Sequence, residues 1–327
     1  MRLAVTGAAG LLGASFVAAA HDAEIAVRGQ FRPGTAADRI PAQLTDRVVG
    51  TFAGAATPVA LWDDLLSGCD ACIHCAFHHE PGRYRHGEGN DPAGFWEQNL
   101  MTTLGLLEAC LKHGVERVVL LSSRAVFDGW ATGRATTQSV TGASSKQNAP
   151  PLFLDDDAAP RPTTHYGALK ATEEALVQRY AAETDLCTTA LRTTGVYGVA
   201  EPIQRSKWLP IFSALVRGES PPPCLGTEVH GADLGAAALC LLQAPNEDVR
   251  GRIFNCSDIL ISHRDLTLAF NRQTGLDRAV PLEGPEPGVQ LRCPGLRELG
   301  WQPAGRARLA PTLSALIHAA TEGLDAR

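Results

Sequence analysis

The stretch that decides the fold is MRLAVTGAAGLLG, residues 1–13. Leu3-Ala4-Val5 is a short apolar run of strand type that feeds Thr6, then Gly7, Gly10 and Gly13 at three-residue spacing, and Ala14–Ala20 continues as a helical pattern. Each glycine has a mechanical reason. The first permits a tight turn, the second lets a pyrophosphate approach the backbone, and the third lets the helix pack closely on the strand while its N-terminus faces the anion. Glycine triplets also occur in loops that bind nothing, but a strand before and a helix after make this one a dinucleotide-binding expectation. The contacts are expected from Gly7, Ala9, Gly10, Leu11, Leu12 and Gly13.

A chain of 327 residues suits roughly two domains or one large α/β unit at about 150 residues per domain. With 45% apolar and 20% charged residues it can bury a sizeable core. A net charge of −6 leaves no basic footprint, which argues against a nucleic-acid partner. No apolar run approaches the roughly 20 residues that span a bilayer. A first strand beginning at Met1 leaves no room for a signal peptide, and nine scattered cysteines fit reduced thiols, so a cytoplasmic protein is expected.

Glu24–Val27 reads as a second strand, whose far end approaches the adenosine ribose. An NAD-binding chain commonly carries Asp or Glu there, about 20 residues after the glycines. This chain has Arg28-Gly29-Gln30-Phe31-Arg32 instead. A carboxylate repels a 2′-phosphate and an arginine fork attracts one, so Arg28 and Arg32 tilt the cofactor weakly toward NADP(H) over NAD(H). The alternative is that both are solvated surface arginines.

Val48-Val49 marks a short third strand and Cys69–Phe77 a fourth. The spacing Cys69-x-x-Cys72-x-x-Cys75 invites an iron–sulfur reading, but on a strand Cys69 and Cys75 lie roughly 20 Å apart, too far to share a cluster. His74, His78, His79 and His86 could gather in a loop around zinc, yet no carboxylate or thiolate at matching spacing supports it, and no metal is expected. A loop bringing His78, His79 and Arg83 to a substrate is the preferred reading.

Phe95–His113 has apolar residues at helical spacing with Gly114 as a stop, and Val118–Leu121 is an unbroken apolar run of the kind buried on both faces of a parallel sheet, ending in Ser122-Ser123. Strand alternating with helix implies βαβ units and a doubly wound sheet. Residues 130–150 are poor in large apolar side chains and read as a flexible insertion. An acidic patch, Asp155-Asp156-Asp157, precedes a helix that starts near Tyr166 and runs to about Ala182. Further on, Cys187–Leu191 and Gly251–Asn255 read as strands, and Ile211–Arg217, 263–274 and 307–322 as helices.

Tyr166 and Lys170, four apart, share one helix face. An ammonium held near a phenol lowers its pKa and readies it to exchange a proton with an alcohol or carbonyl. Ser123, at the end of a parallel strand, lies on the face where such sheets bind ligands and can bond the same oxygen. Alone, Tyr-x-x-x-Lys mostly marks an exposed amphipathic face. Following a glycine turn and a strand-ending serine, it points to catalysis.

The order of these motifs resembles the extended short-chain dehydrogenase/reductases, the NAD-dependent epimerase/dehydratase family. The likeness runs through Thr6-Gly7-x-x-Gly10-x-x-Gly13, Ile73-His74-Cys75-Ala76, Asn99, Ser122-Ser123 before Val126-Phe127, Pro162-x-Thr164-x-Tyr166-Gly167-x-x-Lys170, Leu191-Arg192 with Val196-Tyr197-Gly198, Val229-His230 with Asp233, and Leu299-Gly300-Trp301. It implies an α/β fold, a Rossmann-type doubly wound parallel sheet with a smaller C-terminal substrate-binding lobe. The Rossmann domain would take 1–195, with 228–256 returning to it, and the lobe 196–227 and 257–327. It implies Tyr166 as acid/base, Ser123 orienting the reacting oxygen, Lys170 on the nicotinamide ribose, and Ala76 and Asn99 beside the cofactor. It also implies a homodimer built on the helices at about 95–113 and 166–182.

Three departures matter. Family dehydratases place Asp-Glu after the catalytic Ser or Thr, where this chain has Arg124-Ala125, which disfavours dehydration. Many sugar-nucleotide epimerases hold the substrate diphosphate with an Asn near the position of Gly195 and an Arg shortly before the Val-His pair, where this chain has Gly226-Thr227-Glu228. The spacing from Ser123 to Tyr166 is long, placing the 130–150 insertion beside the substrate. The leading expectation is therefore an NADP(H)-dependent oxidoreductase for a small polar, sugar-like or acidic substrate, with His79, Arg124 and Arg192 as substrate contacts. The alternatives are an NAD-dependent nucleotide-sugar epimerase and a non-catalytic NADP-sensing regulator.

Overall fold

The computed structural model describes residues 1–80, 86–132 and 151–322. In chain order the first strands and helices are β1 (Arg2–Thr6), α1 (Leu11–Asp22), β2 (Ala26–Phe31), β3 (Asp46–Val49), α2 (Val59–Leu66), β4 (Ala71–His74), α3 (Pro92–His113), β5 (Arg117–Ser123) and α4 (Asp128–Thr132). After these come β6 (Leu152–Leu154), α5 (His165–Glu183), β7 (Cys187–Thr193), β8 (Gly195–Tyr197), α6 (Leu209–Val216), β9 (Leu225–His230) and α7 (Gly231–Gln243). The rest are α8 (Asn246–Val249), β10 (Ile253–Cys256), β11 (Ile259–Ser262), α9 (His263–Thr274), β12 (Val289–Leu291), α10 (Pro294–Glu298) and α11 (Leu309–Thr321).

Seven strands form one parallel sheet in the order β10-β7-β5-β4-β1-β2-β3. The chain enters at β1, winds outward through β2 and β3, then returns to β4 and winds the other way, so the winding reverses between β1 and β4. A crevice opens there beyond the carboxyl ends of the strands. Phe16 and Val17 of α1 and Leu234, Ala237, Ala238 and Leu241 of α7 pack on one face. Leu61, Trp62 and Leu65 of α2 and Leu106, Leu107 and Cys110 of α3 cover the other. Burial on both sides is why Val118 and Val119, adjacent and pointing oppositely, are equally enclosed. The α/β class with a doubly wound parallel sheet is thus as the sequence indicates.

A second core joins α6, α9 and α11 to the three-stranded sheet β11-β9-β8 through Trp208, Phe212, Ile261, Phe270 and Leu316. β10, following α8, returns to the edge of the large sheet beside β7. β6 and β12 make a parallel two-stranded ribbon that no periodicity announced. Among the described residues no helix is long and apolar enough to cross a membrane.

Several boundaries differ from the sequence reading. β2 spans Ala26–Phe31 rather than Glu24–Val27, because Glu24 takes a left-handed turn (φ 57°) and the strand continues through Gly29 and Gln30. These look like loop residues. A Cβ at Gly29, however, would stand 2.5 Å from Leu44 and 2.8 Å from the Cβ of Ala8, so only glycine fits. β4 is shorter than Cys69–Phe77, ending at His74 where the backbone leaves the sheet for the crevice. Arg83 and all but the first three residues of the 130–150 insertion lie outside the described residues.

Candidate active site

The glycine turn is a steric cradle. Gly7 has φ 64°, and a Cβ on it would lie 3.0 Å from the Cα of Ala76. A Cβ on Gly13 would lie 2.3 Å from the carbonyl oxygen of Gly7, so α1 can sit this close to β1 only with glycine there. α1 starts after Gly10 with no side-chain cap, which leaves the N–H groups around Leu11, Leu12 and Gly13 available to an anion. Ala9 is buried beneath the turn. A residue the motif did not reveal holds it in shape: the Gln30 amide oxygen accepts from the Gly7 N–H (2.9 Å), and its nitrogen donates to the Gly50 carbonyl (2.5 Å). The residues present fit a dinucleotide pyrophosphate.

The two arginines on the ribose side separate. Arg32 immediately follows β2 and is exposed beside the crevice end of the sheet. Arg28 lies within the strand, level with Ala4, and does not reach that end. Its guanidinium donates to the carbonyls of Asp64 (3.1 Å), Leu65 (3.4 Å) and Ser67 (2.8 Å), and pairs with Asp46 at 3.5 Å. It is a C-cap for α2, as a cation at a helix carbonyl end should be. The expectation that Arg28 reads the cofactor is therefore corrected.

Across the crevice, Asn99 of α3 accepts from the His78 N–H (2.8 Å) and donates to the His78 carbonyl (2.9 Å), clamping the loop after β4. Ala76 and Cys75 donate their backbone N–H groups to the Thr6 hydroxyl, both at 3.0 Å, so this loop is tied to the glycine turn as well.

Ser123 ends β5, and its hydroxyl oxygen accepts from the Ala125 N–H at 3.2 Å. α5 is capped by Thr164, which accepts from Gly167 at 3.1 Å. A Cβ at Gly167 would fall 2.5 Å from the Ala125 carbonyl oxygen, so the first turn of α5 rests directly on the turn that Ser123 caps. That contact brings the elements bearing Ser123 and Tyr166 together. The Tyr166 ring meets Phe77 edge-on (centroids 5.3 Å apart), and Phe77 also stacks on His79 at 5.8 Å. One turn along, Lys170 is buried, its ammonium 4.8 Å from the Phe77 ring centre and 2.8 Å from Glu173. Burial pulls the Lys170 pKa down, but the Glu173 carboxylate and the Tyr166 phenol outweigh it, leaving the lysine above its ordinary value.

Beyond Ser123, Arg124, Phe127 and Asp128 face Leu225, Gly226 and Val289 across a cavity of about 240 Å³ between the large sheet and the smaller core. Arg124 is thus placed on the cleft. His79 bonds the Glu80 carbonyl (2.7 Å) and lines a second hollow with His78, Asp91 and Phe95. Arg192 is not in the cleft. Only 3% exposed, it forms a bidentate pair with Glu174 (2.8 Å on both arms), donates to the Asp156 carbonyl at 2.9 Å and stacks over Phe127. Its fork is committed to the fold, which corrects the expectation of a substrate contact.

His74 is buried on β4 between Thr6 (2.8 Å) and Thr103 (3.4 Å), and among the described residues no group of three or more His, Cys, Asp or Glu is placed to hold a metal. Asp156 of the acidic patch is also structural. Asp156 accepts from the backbone N–H groups of Asn255 (2.6 Å) and Gly295 (2.8 Å), tying β10 to α10.

A sequence profile described as "NAD dependent epimerase/dehydratase family" matches residues 3–257. A UDP-glucose 4-epimerase of Corynebacterium glutamicum is 27% identical over 278 residues, covering 78% of this chain and 74% of that protein. A dTDP-L-rhamnose 4-epimerase of Burkholderia thailandensis is 28% identical over 237 residues, 66% of this chain and 64% of the other. The fold is like that of the Thermotoga maritima UDP-glucose 4-epimerase solved with UDP-glucose (TM-score 0.74, 19% identity, 99% of this chain and 100% of that one). It is equally like the Bacillus cereus UDP-glucuronic acid 4-epimerase solved with NAD (TM-score 0.74, 18% identity, 98% and 99%). These relatives agree better with the epimerase alternative than with the leading expectation of an NADP(H) oxidoreductase.

Proposed function

The chain belongs to the NAD-dependent epimerase/dehydratase family, and from that premise we propose an enzyme that transfers a hydride at a carbinol carbon of a sugar-like substrate. A nicotinamide dinucleotide, held by the Gly7–Gly13 turn, the start of α1 and the Ala76 loop that Asn99 clamps, supplies the hydride acceptor when bound. Tyr166, as the phenolate, takes the carbinol proton as the C–H bond breaks, Ser123 holds the reacting oxygen, and Lys170 keeps its positive charge one turn below. Substrate occupies the cleft between the sheet and the smaller lobe, with Arg124 on its lining, while His79 lies in the second hollow and adjoins Tyr166 through Phe77. The single observation that carries this reading is the seating of Gly167 on the Ala125 carbonyl, which joins the Tyr166–Lys170 helix to the Ser123 turn.

The named relatives favour the version in which the hydride returns to the same carbon from the other face, with NAD retained. Arg124-Ala125 after Ser123 lack the acid and base that dehydration needs. The test is to purify the protein, release and identify any bound dinucleotide, and follow UDP-glucose and UDP-galactose by chromatography. Interconversion without net redox, lost by a factor of about 10² to 10⁴ in Tyr166→Phe, supports it. A regulator that merely senses the dinucleotide would keep its binding and its effect in that variant.

A second reading, a net NADP(H)-dependent oxidoreductase, is favoured by one observation. The Glu228 carboxylate fills the space beside Gly195 and stands 3.7 Å from where a Cβ on Gly226 would lie. These are the positions at which the resemblance expects diphosphate anchors. Net NADPH formation from a sugar or sugar acid without a nucleotide supports this version. A homodimer packed through α3 and α5 belongs to both readings and is tested by light scattering.

A further inference from the structure

Beneath the site runs a buried chain of polar groups in which three motif residues, Thr6, His74 and Lys170, are joined through two that lie outside the motifs, Thr103 and Glu173. Its directions are fixed by counting protons. The Thr6 oxygen already accepts from two backbone N–H groups, so its own proton goes to His74 Nδ1. That leaves the proton on His74 Nε2, directed at the Thr103 hydroxyl (3.4 Å), whose proton in turn goes to Glu173 Oε1 (2.8 Å). Lys170 donates to the other oxygen, Oε2, at 2.8 Å, and the two side chains are only 8% and 2% exposed. Every proton in the chain points toward one carboxylate.

We infer that Glu173 is a positioning residue that sets how strongly Lys170 favours the Tyr166 phenolate. In a water-poor setting the ammonium stabilises a phenolate while the Glu173 carboxylate beside it opposes that field, so the pair presents a smaller net positive potential to Tyr166 than a lone ammonium would. The other groups that face Lys170 leave this opposition to Glu173. At the end of β4 and just after it, burial lowers the His74 pKa to about 3 and raises that of Cys75, so neither is charged near neutrality. From α3 the chain offers the neutral Thr103 hydroxyl. Glu174 and Arg192 close on each other. Glu173 therefore sets the net charge that the lysine presents to Tyr166, and Thr103 moderates it by drawing on the same carboxylate.

The inference rests on Tyr166 being the acid/base, but its test needs neither turnover nor substrate. Tyrosinate absorbance is titrated with saturating NAD⁺ or NADP⁺, whichever binds more tightly, and Tyr166→Phe is subtracted to isolate the one phenol. Glu173→Gln is expected to increase the Tyr166 acid dissociation constant at least tenfold. Thr103→Val, which withdraws a donor from Glu173 and leaves the lysine pair intact, is expected to decrease it by about threefold. Opposite shifts distinguish the chain from loosened packing, which moves both variants the same way. Should Glu173→Gln not fold, the Thr103→Val shift decides. Titrations within twofold of the parent protein, or shifts of the same sign, overturn the inference. Failure of the enzyme reading shows separately, as absence of turnover with these shifts intact.

Discussion

Gly195 and Glu228 face each other across the parallel pair β8–β9, and a Cβ on Gly195 would lie 2.5 Å from both carboxylate oxygens. Lys207 bonds one of those oxygens, while the other is buried with no hydrogen-bond partner among the described residues. A buried carboxylate with a free oxygen attracts a donor and repels a phosphate. Glu228→Gln removes the charge at constant volume and is expected to raise affinity for UDP roughly tenfold, about 1.4 kcal/mol, by calorimetry. Unchanged affinity would place a diphosphate elsewhere in the cleft.

The same pair gives a packing prediction. Gly195→Ala pushes a methyl group into the carboxylate and is expected to cost about 1–3 kcal/mol in urea unfolding. In a Glu228→Ala background the clash disappears. A double-mutant cycle should therefore return a coupling of about 1 kcal/mol or more, and additive losses would show that the strand shifts instead.

Arg192 and Glu174 close a buried ion pair to which Ser122 also donates. Removing one partner strands the other without water, at a typical cost of about 3–5 kcal/mol. Arg192→Ala is thus expected to lower the urea midpoint sharply while cofactor affinity in the folded fraction holds. A stable Arg192→Ala protein with a raised substrate KM would return this arginine to the substrate side.

Arg28 and Arg32 offer a contrast of function against fold. Arg32→Ala is expected to weaken NADPH binding roughly tenfold and leave NADH unchanged, the effect of one charge-assisted contact to a phosphate. Arg28→Ala is expected to alter neither affinity and to lower stability by uncapping α2. Equal NADPH and NADH affinities in the parent protein and both variants would remove the case for NADP(H).

How much of this was legible follows the range of the signals. The glycine turn and the Tyr166–Lys170 helix are local patterns, and local sterics carried them into the structure. Arg28 misled because its partners, the carbonyls at the end of α2, lie 36 to 39 residues away in sequence. Gln30 gave no signal because its amide is satisfied by Gly7 and Gly50, neither of which is near it in the chain. Glu173 was within reach: a glutamate three residues after a helical lysine is a pairing signal. What the spacing could not give was burial, which turns a weak surface pair into one that governs its neighbours.

His74 supplies a prediction in pH. Its pKa falls from 6.5 to about 3, chiefly because burial penalises the charged ring, with Lys170 adding to the shift. The folded protein then resists protonation where the unfolded chain accepts it, so the unfolded state binds more protons below pH 6.5 and stability is lost as the pH falls. Above 6.5 the group contributes no slope. Between about 6.5 and 3 it contributes up to roughly 1.4 kcal/mol per pH unit, on top of losses from the paired carboxylates. His74→Gln keeps a polar group between Thr6 and Thr103 but cannot be protonated. It is expected to be less stable than the parent at pH 7.5 and to lose stability more slowly between pH 6.5 and 5, as read from urea midpoints. Parallel curves for the two proteins would mean that the histidine takes up a proton in the folded state, and that the Thr6–Thr103 chain does not hold it neutral.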